Sequence, residues 1–229
     1  MPIKAILFDL DNTLIDFLTF KKESAKAAAK AMVAQGLPAS EIETYSKIFT
    51  VYDEKGIEYQ KTFADVVKQY NLEINLAEKI QQAAIIAYLK KKFEILRPYP
   101  LVKFTLQALR EKGFLLGIVT DAPRNKAWQR LVLTGLENEF EVVITKNDTN
   151  EEKPAVSAFL LAAKKLGLTP SSCLFVGDNP AKDIKGAKEA GMITCLAKYG
   201  VWNRDSDVKA DYEINQFEEL IKIIEKVES

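Results

Sequence analysis

The sequence predicts an α/β fold: a doubly wound parallel sheet whose first strand is followed by an inserted all-helical segment. Three observations predict it. Ile3, Ala5, Ile6, Leu7 and Phe8 form an almost continuous apolar run, as a strand buried on both faces of a parallel sheet does. Residues 16–96 carry helical periodicity and no convincing strand. From residue 97 onward, short apolar runs alternate with amphipathic helical stretches, the pattern of βαβ units. The α/β domain therefore reads as 1–15 with 97–229, and the helical domain as 16–96.

Taken in order, the first strand stops at Asp9, with Asp11, Asn12 and Thr13 following as turn and cap residues. Phe17 to Gln35 is rich in Ala and Lys, and Gly36 and Pro38 close it as a helix end. Ser40 and Glu43 have capping-box spacing and open a helix that places Tyr45, Ile48, Phe49 and Tyr52 on one face. Phe63, Val66, Val67 and Tyr70 repeat that spacing in a third helix, and a fourth runs from Leu76 to Phe93. These aromatic stripes read as bundle core, with one or two rings near Phe17 and Phe20 left to face a ligand.

The Pro-punctuated stretch Leu96-Arg97-Pro98-Tyr99-Pro100 marks the return to the sheet domain. A helix with Val102, Leu106 and Leu109 on one face precedes the strand Phe114–Val119. A helix around Lys126–Leu133 precedes the strand Glu141–Ile144. Pro154 is expected at a first helical position, with Val156, Phe159, Leu160 and Ala163 on the buried face. The strand Cys173–Val176 follows, then a helix capped by Asn179 and Pro180 and running to Ala190, then the strand Met192–Leu196. A last strand near Tyr212–Ile214 and a helix Phe217–Val227 complete the sheet domain.

Composition narrows the chemistry. Lys plus Arg is 32 and Asp plus Glu is 32, so no net charge draws the chain to nucleic acid or to an anionic membrane. No apolar run reaches bilayer length, and no secretory leader is recognisable, so a cytoplasmic protein is expected. Cys173 and Cys195 sit in apolar runs and read as buried thiols. The chain has no histidine, which removes Ser–His and Cys–His nucleophile pairs and His-ligated zinc together. Acid/base work falls to Asp, Glu, Lys or Tyr, and oxygen ligands suit magnesium, calcium or manganese.

Polar residues collect where strands end. Asp9 and Asp11 end the first strand, Thr120 and Asp121 the second, and Asp178 follows Cys173–Val176, with Asp183 five residues on. Lys153 stands ahead of a helix. Each has an ordinary alternative: Asp9 and Asp11 as a solvated Asx turn, Thr120-Asp121 as a plain turn, Lys153 as a solvated lysine, and Asp183 as a first-turn acid favouring the helix dipole. Parallel, adjacent strands would bring these ends to one edge, where ligands bind in open α/β sheets. Asp9, Asp11, Asp178 and Asp183 would then repel one another unless a cation were present. Magnesium completed by water and substrate phosphate fits that set, with Lys153, Thr120 and backbone N–H groups holding phosphate oxygens.

In that order, FDLDNT, IVTD, EEKPAVSAF and FVGDNPAKDIKGAKEAG resemble the four motifs of the haloacid dehalogenase-like (HAD) hydrolase superfamily, over residues 3–15 and 97–200. The resemblance implies a Rossmann-like core with an inserted helical cap of type one. It implies that Asp9 attacks phosphorus, while Asp11 protonates the leaving oxygen and later deprotonates water. Thr120 and Lys153 would bind the phosphoryl group, and Asn12 and Asp121 would add backbone N–H groups. Asp9, the Asp11 carbonyl and Asp178 would ligate magnesium, with Asp183 reaching it directly or through water. Dehalogenases of the superfamily lack the second Asp, so Asp11 argues for phosphoryl transfer; Asn12 replaces a commoner Gly.

The expected activity is a magnesium-dependent phosphatase acting on a small phosphorylated metabolite. A phosphomutase of the same superfamily and a non-catalytic phosphate-binding or regulatory protein are the alternatives.

Overall fold

The computed structural model describes residues 2–201 and 206–228. The chain divides into two compact units, Met1–Asp16 with Arg97–Ser229, and Phe17–Leu96.

Among the described residues, the second unit holds four helices: α1 (Phe17–Ala34), α2 (Glu41–Lys55), α3 (Thr62–Lys68) and α4 (Ile74–Ile95). Ala25, Ala28, Ala29 and Met32 line the inner face of α1, where the three short alanine side chains let α4 approach closely. Ile48, Val51 and Tyr52 of α2, Phe63, Val66 and Val67 of α3, and Ile80 and Ala84 of α4 fill the same core. Ser40 caps α2 by accepting from the Glu43 N–H at 3.1 Å. Phe17 and Phe20 are both buried and meet edge to face, 5.0 Å between ring centres. Buried Lys21 donates to the Ile57 carbonyl at 2.7 Å and lies over the Tyr52 ring.

Among the described residues of the first unit, six parallel strands run in the order β3-β2-β1-β4-β5-β6. They are β1 (Ala5–Phe8), β2 (Leu115–Val119), β3 (Val142–Ile144), β4 (Cys173–Gly177), β5 (Ile193–Ala197) and β6 (Tyr212–Ile214). β1 is buried along its whole length, with Phe8 opposite Ile118 of β2 and Val176 of β4. Winding runs outward through β2 and β3, then restarts at β4 and runs outward the other way. The crevice between the carboxyl ends of β1 and β4 is therefore the topological switch point. The connecting helices are α5 (Val102–Glu111), α6 (Arg124–Thr134), α7 (Lys146–Thr149), α8 (Ser157–Lys165), α9 (Lys185–Glu189) and α10 (Leu220–Glu228). One apolar cluster joins Leu7, Val119, Phe159, Ala162, Phe175 and Ala187 across sheet and helices.

Three local expectations are corrected. Pro154 is not the first residue of a helix: Ala155 N–H bonds back to the Glu152 carbonyl at 3.0 Å, making a turn, and α8 begins only at Ser157. The buried face of α8 is Ala158, Phe159, Ala162 and Ala163, and Leu160 is 43% exposed. The stretch after β4 is not one regular helix but a π-helical turn, Pro180–Ile184, running into α9. Cys173 and Cys195 are buried free thiols, as expected.

Candidate active site

Asp9 is the first residue past β1, where its N–H still joins the sheet by donating to the Val176 carbonyl at 2.9 Å. The chain then turns sharply. Asn12 adopts φ +60°, a left-handed conformation that Asn tolerates better than most residues, which is why Asn can stand where Gly is commoner. The Asn12 N–H donates to the Ile15 carbonyl at 2.8 Å and closes the loop. Two further contacts hold it. Thr13 Oγ1 donates to Asp178 Oδ1 at 3.4 Å, and the Tyr199 hydroxyl donates to the Thr13 carbonyl at 2.7 Å. Gly200 packs directly on this turn, so a Cβ there would run into the Asn12 carbonyl and the Asp178 side chain.

Lys153 enters from the turn before α8 and is 5% exposed. Its Nζ donates to Asp9 Oδ1 at 2.5 Å and to the Val119 carbonyl at 3.2 Å, and lies 2.6 Å from Asp183 Oδ1. Its backbone N–H donates to Asp121 Oδ1 at 2.9 Å, tying the turn to the end of β2. Burial opposes the lysine's charge, but Asp183 and Asp9 together hold its pKa well above the ordinary value. Asp183 is reached through the π-helical turn, which buries it to 1% exposure and lets its Oδ2 accept from the Asn179 N–H at 3.0 Å. Gly177 makes room, since a Cβ there would press into the Asp183 carboxylate. Thr120 follows β2 and is buried; its Oγ1 accepts from the Ala122 N–H at 3.2 Å, leaving the hydroxyl proton for donation.

Asp9, Asp178 and Asp183 each place a carboxylate oxygen within 4.8 Å of the others, and all three are buried. Burial pushes the Asp9 carboxyl up to about 8 despite the opposing pull of Lys153, with Asp183 and Asp11 adding repulsion. Burial, then Asp183 and Asp9, raise Asp178 well above the usual carboxylate range. Three carboxylates against the Lys153 ammonium leave an excess of buried negative charge, which is costly without a cation. Asp183 Oδ1 accepts no well-directed hydrogen bond, so its approach to Lys153 is a charge contact with capacity left over. An all-carboxylate donor set of this kind suits a hard divalent cation such as magnesium, and the residues fit one.

Asp11 departs from the expected crowd of four carboxylates. Its charge is felt at Asp9, but its Oδ2 accepts from Arg130 Nη1 at 2.8 Å. Sequence reasoning passed over Arg130, yet a signal existed. Ala127, Arg130, Leu131 and Thr134 form the buried stripe of α6 at helical spacing, and an arginine on such a stripe needs a partner. Tyr199 and Gly200 were missed as well. At the rim, half-exposed Lys182 reaches Asp121 at 3.2 Å and Glu152 at 3.3 Å.

Comparison with known proteins adds to this geometry. A family model described as haloacid dehalogenase-like hydrolase matches residues 3–191. The chain is 35% identical to the glyceraldehyde 3-phosphate phosphatase of Methanopyrus kandleri, covering 98% of each sequence. It is 29% identical to the phosphoglycolate phosphatase of Aquifex aeolicus, covering 97% of each. The crystal structure of a HAD phosphatase from Thermococcus onnurineus superposes with a TM-score of 0.65 at 30% identity, covering 97% of this chain and 98% of that one.

Proposed function

The chain belongs to the haloacid dehalogenase-like hydrolases, and on that premise we propose that it is a magnesium-dependent phosphatase that hydrolyses a small phosphomonoester through an aspartyl phosphate. The observation that carries the reading is the position of Asp9: first residue past the central strand, at the switch point, with Lys153 on one oxygen at 2.5 Å.

Asp9 attacks phosphorus with a carboxylate oxygen, and the bond from phosphorus to the leaving oxygen breaks. Asp11 gives that oxygen its proton, then takes one from the water that attacks the aspartyl phosphate, releasing phosphate and restoring Asp9. The Lys153 ammonium holds Asp9 in place and offsets negative charge that gathers on the phosphoryl oxygens. Thr120 donates its hydroxyl proton to one of those oxygens, aided by the backbone N–H of Asp121 and by that of Asn12, shared with Ile15. Asp9, Asp178, Asp183 and the Asp11 carbonyl would hold magnesium, which when bound supplies charge neutralisation for the attacking carboxylate and the phosphoryl group. We assign the helical unit the part of the family's cap, with a role in selecting the leaving group. No helix among the described residues is long and apolar enough to cross a membrane. We place the reaction in the cytoplasm, in keeping with the free buried thiols.

Glyceraldehyde 3-phosphate is the first substrate to test, since a relative of that name aligns over nearly the whole chain. Phosphate release should be followed across a panel of phosphorylated metabolites that also includes phosphoglycolate and hexose phosphates. Stoichiometric phosphate from at least one of them supports the reading. Conversion of a sugar phosphate with almost no free phosphate would identify a mutase instead.

A further inference from the structure

Arg130 is 2% exposed and among the largest fully buried side chains of the protein, in the first unit with Asp11. One of its partners, Asp11, lies 119 residues away in sequence, at the turn that carries the nucleophile. A buried ion pair is weak evidence for stability, because apolar residues of similar volume often do as well. Its presence is better explained by a demand on Asp11. Acid/base transfer in both half-reactions requires one carboxylate to face the reacting oxygen twice, within hydrogen-bond reach each time. A carboxylate that rotates freely about its terminal bond meets that demand only part of the time.

Resting on the proposed role of Asp11, we infer that Arg130 is a positioning residue for the acid/base. Its guanidinium fixes Oδ2 from the core side and thereby sets the face that Asp11 presents to leaving group and water. α6 suits this work because it starts just past Thr120 and Asp121 at the end of β2, and Asp11 follows the end of β1, the strand paired alongside, so the helix reaches the acid/base from the neighbouring strand end. The planar guanidinium imposes a direction that the point charge of a lysine ammonium does not.

The test is a double-mutant cycle in turnover, using Arg130→Met, Arg130→Lys and Asp11→Asn, alone and combined, with magnesium present. Each variant is assayed with an alkyl phosphate and with p-nitrophenyl phosphate, whose leaving group needs little protonation. Arg130→Met should lower kcat for the alkyl phosphate by roughly 10- to 100-fold, within the range of a lost acid/base, and clearly less for the aryl phosphate. KM should stay within about twofold, because substrate binding does not use the Asp11 side chain. In the Asp11→Asn background, either Arg130 substitution should add less than about twofold. If Arg130→Met does not fold, Arg130→Lys carries the same cycle with the charge retained. Equal losses for both substrates, losses that multiply with that of Asp11→Asn, or a rise in kcat would each overturn the inference. Should Asp11→Asn itself turn over alkyl phosphates at the wild-type rate, the assignment of Asp11 falls first and this inference with it. A slow Asp11→Asn with multiplying losses sinks the inference alone.

Discussion

Lys153 Nζ donates to Asp9 Oδ1 at 2.5 Å, joining the residue before Pro154 to the residue after β1. Both side chains are nearly inaccessible, at 4% and 8% of their full surface. The lysine therefore serves two ends: it is the counter-charge of a buried carboxylate cluster, and it orients the proposed nucleophile.

Removing the lysine should show both. Lys153→Met is expected to abolish phosphate release and, in EDTA, to cost about 3 kcal/mol, because breaking a buried pair strands charge. The loss should shrink at lower pH, where Asp9 and Asp178 take up protons. Urea denaturation at two pH values measures it; an unfolding free energy unchanged at neutral pH would mean the pair carries little.

The Asp9 carboxyl sets the sign of a pH effect. Folding raises it from 3.8 to about 8, so its contribution to stability is full below about pH 4 and is lost as pH climbs through 8. Metal-free protein should therefore melt at a lower temperature at pH 8 than at pH 5. Magnesium should stabilise more at pH 8, where the carboxylates are ionised and ready to bind. Melting curves in EDTA and in magnesium at both values check this, and equal increments would speak against a site built on Asp9, Asp178 and Asp183.

Activity should disappear in EDTA, return with magnesium, and fall when calcium replaces it, since the larger and looser calcium shell misplaces the nucleophile. Undiminished turnover in chelator would require another purpose for the three carboxylates.

Gly200→Ala should impair turnover more than its size suggests. The added methyl group meets the Asn12 carbonyl and Asp178, so the turn behind Asp9 and Asp11 must shift. Tyr199→Phe removes only the hydroxyl bonded to the Thr13 carbonyl and should cost about 1 kcal/mol of stability. Steady-state rates and melts of the two variants, compared with wild type, decide whether this loop fixes the turn.

The sequence already contained much of this arrangement. A strand buried on both faces cannot carry a carboxylate, so Asp9 and Asp178 marked where β1 and β4 stop. Alternation of strands and helices was enough to imply parallel order and hence one shared edge. What remained hidden depends on contacts between distant residues. The spacing of Arg130 with Ala127, Leu131 and Thr134 hints at burial, but that its guanidinium meets Asp11, 119 residues away, shows only in the fold. Helical spacing puts Leu160 beside Phe159 and Ala163, but it is the smaller Ala158 and Ala162 that share their buried face in α8. The π-helical turn at Pro180–Ile184 has no signature in periodicity, yet it aims Asp183 at Lys153. Gly200 and Tyr199 sit beyond the motifs, and only packing reveals that they brace the Asn12–Thr13 turn.

The central claim is that Asp9 becomes phosphorylated. Asp11→Asn enzyme, mixed with p-nitrophenyl phosphate and magnesium and quenched in acid within the burst, should be digested and examined by mass spectrometry. The account predicts a hydroxylamine-labile phosphoryl group on the peptide containing Asp9, absent when Asp9→Asn is combined with Asp11→Asn. A phosphoryl group on another residue, or an Asp9→Asn enzyme that turns over within a few-fold of wild type, would contradict it.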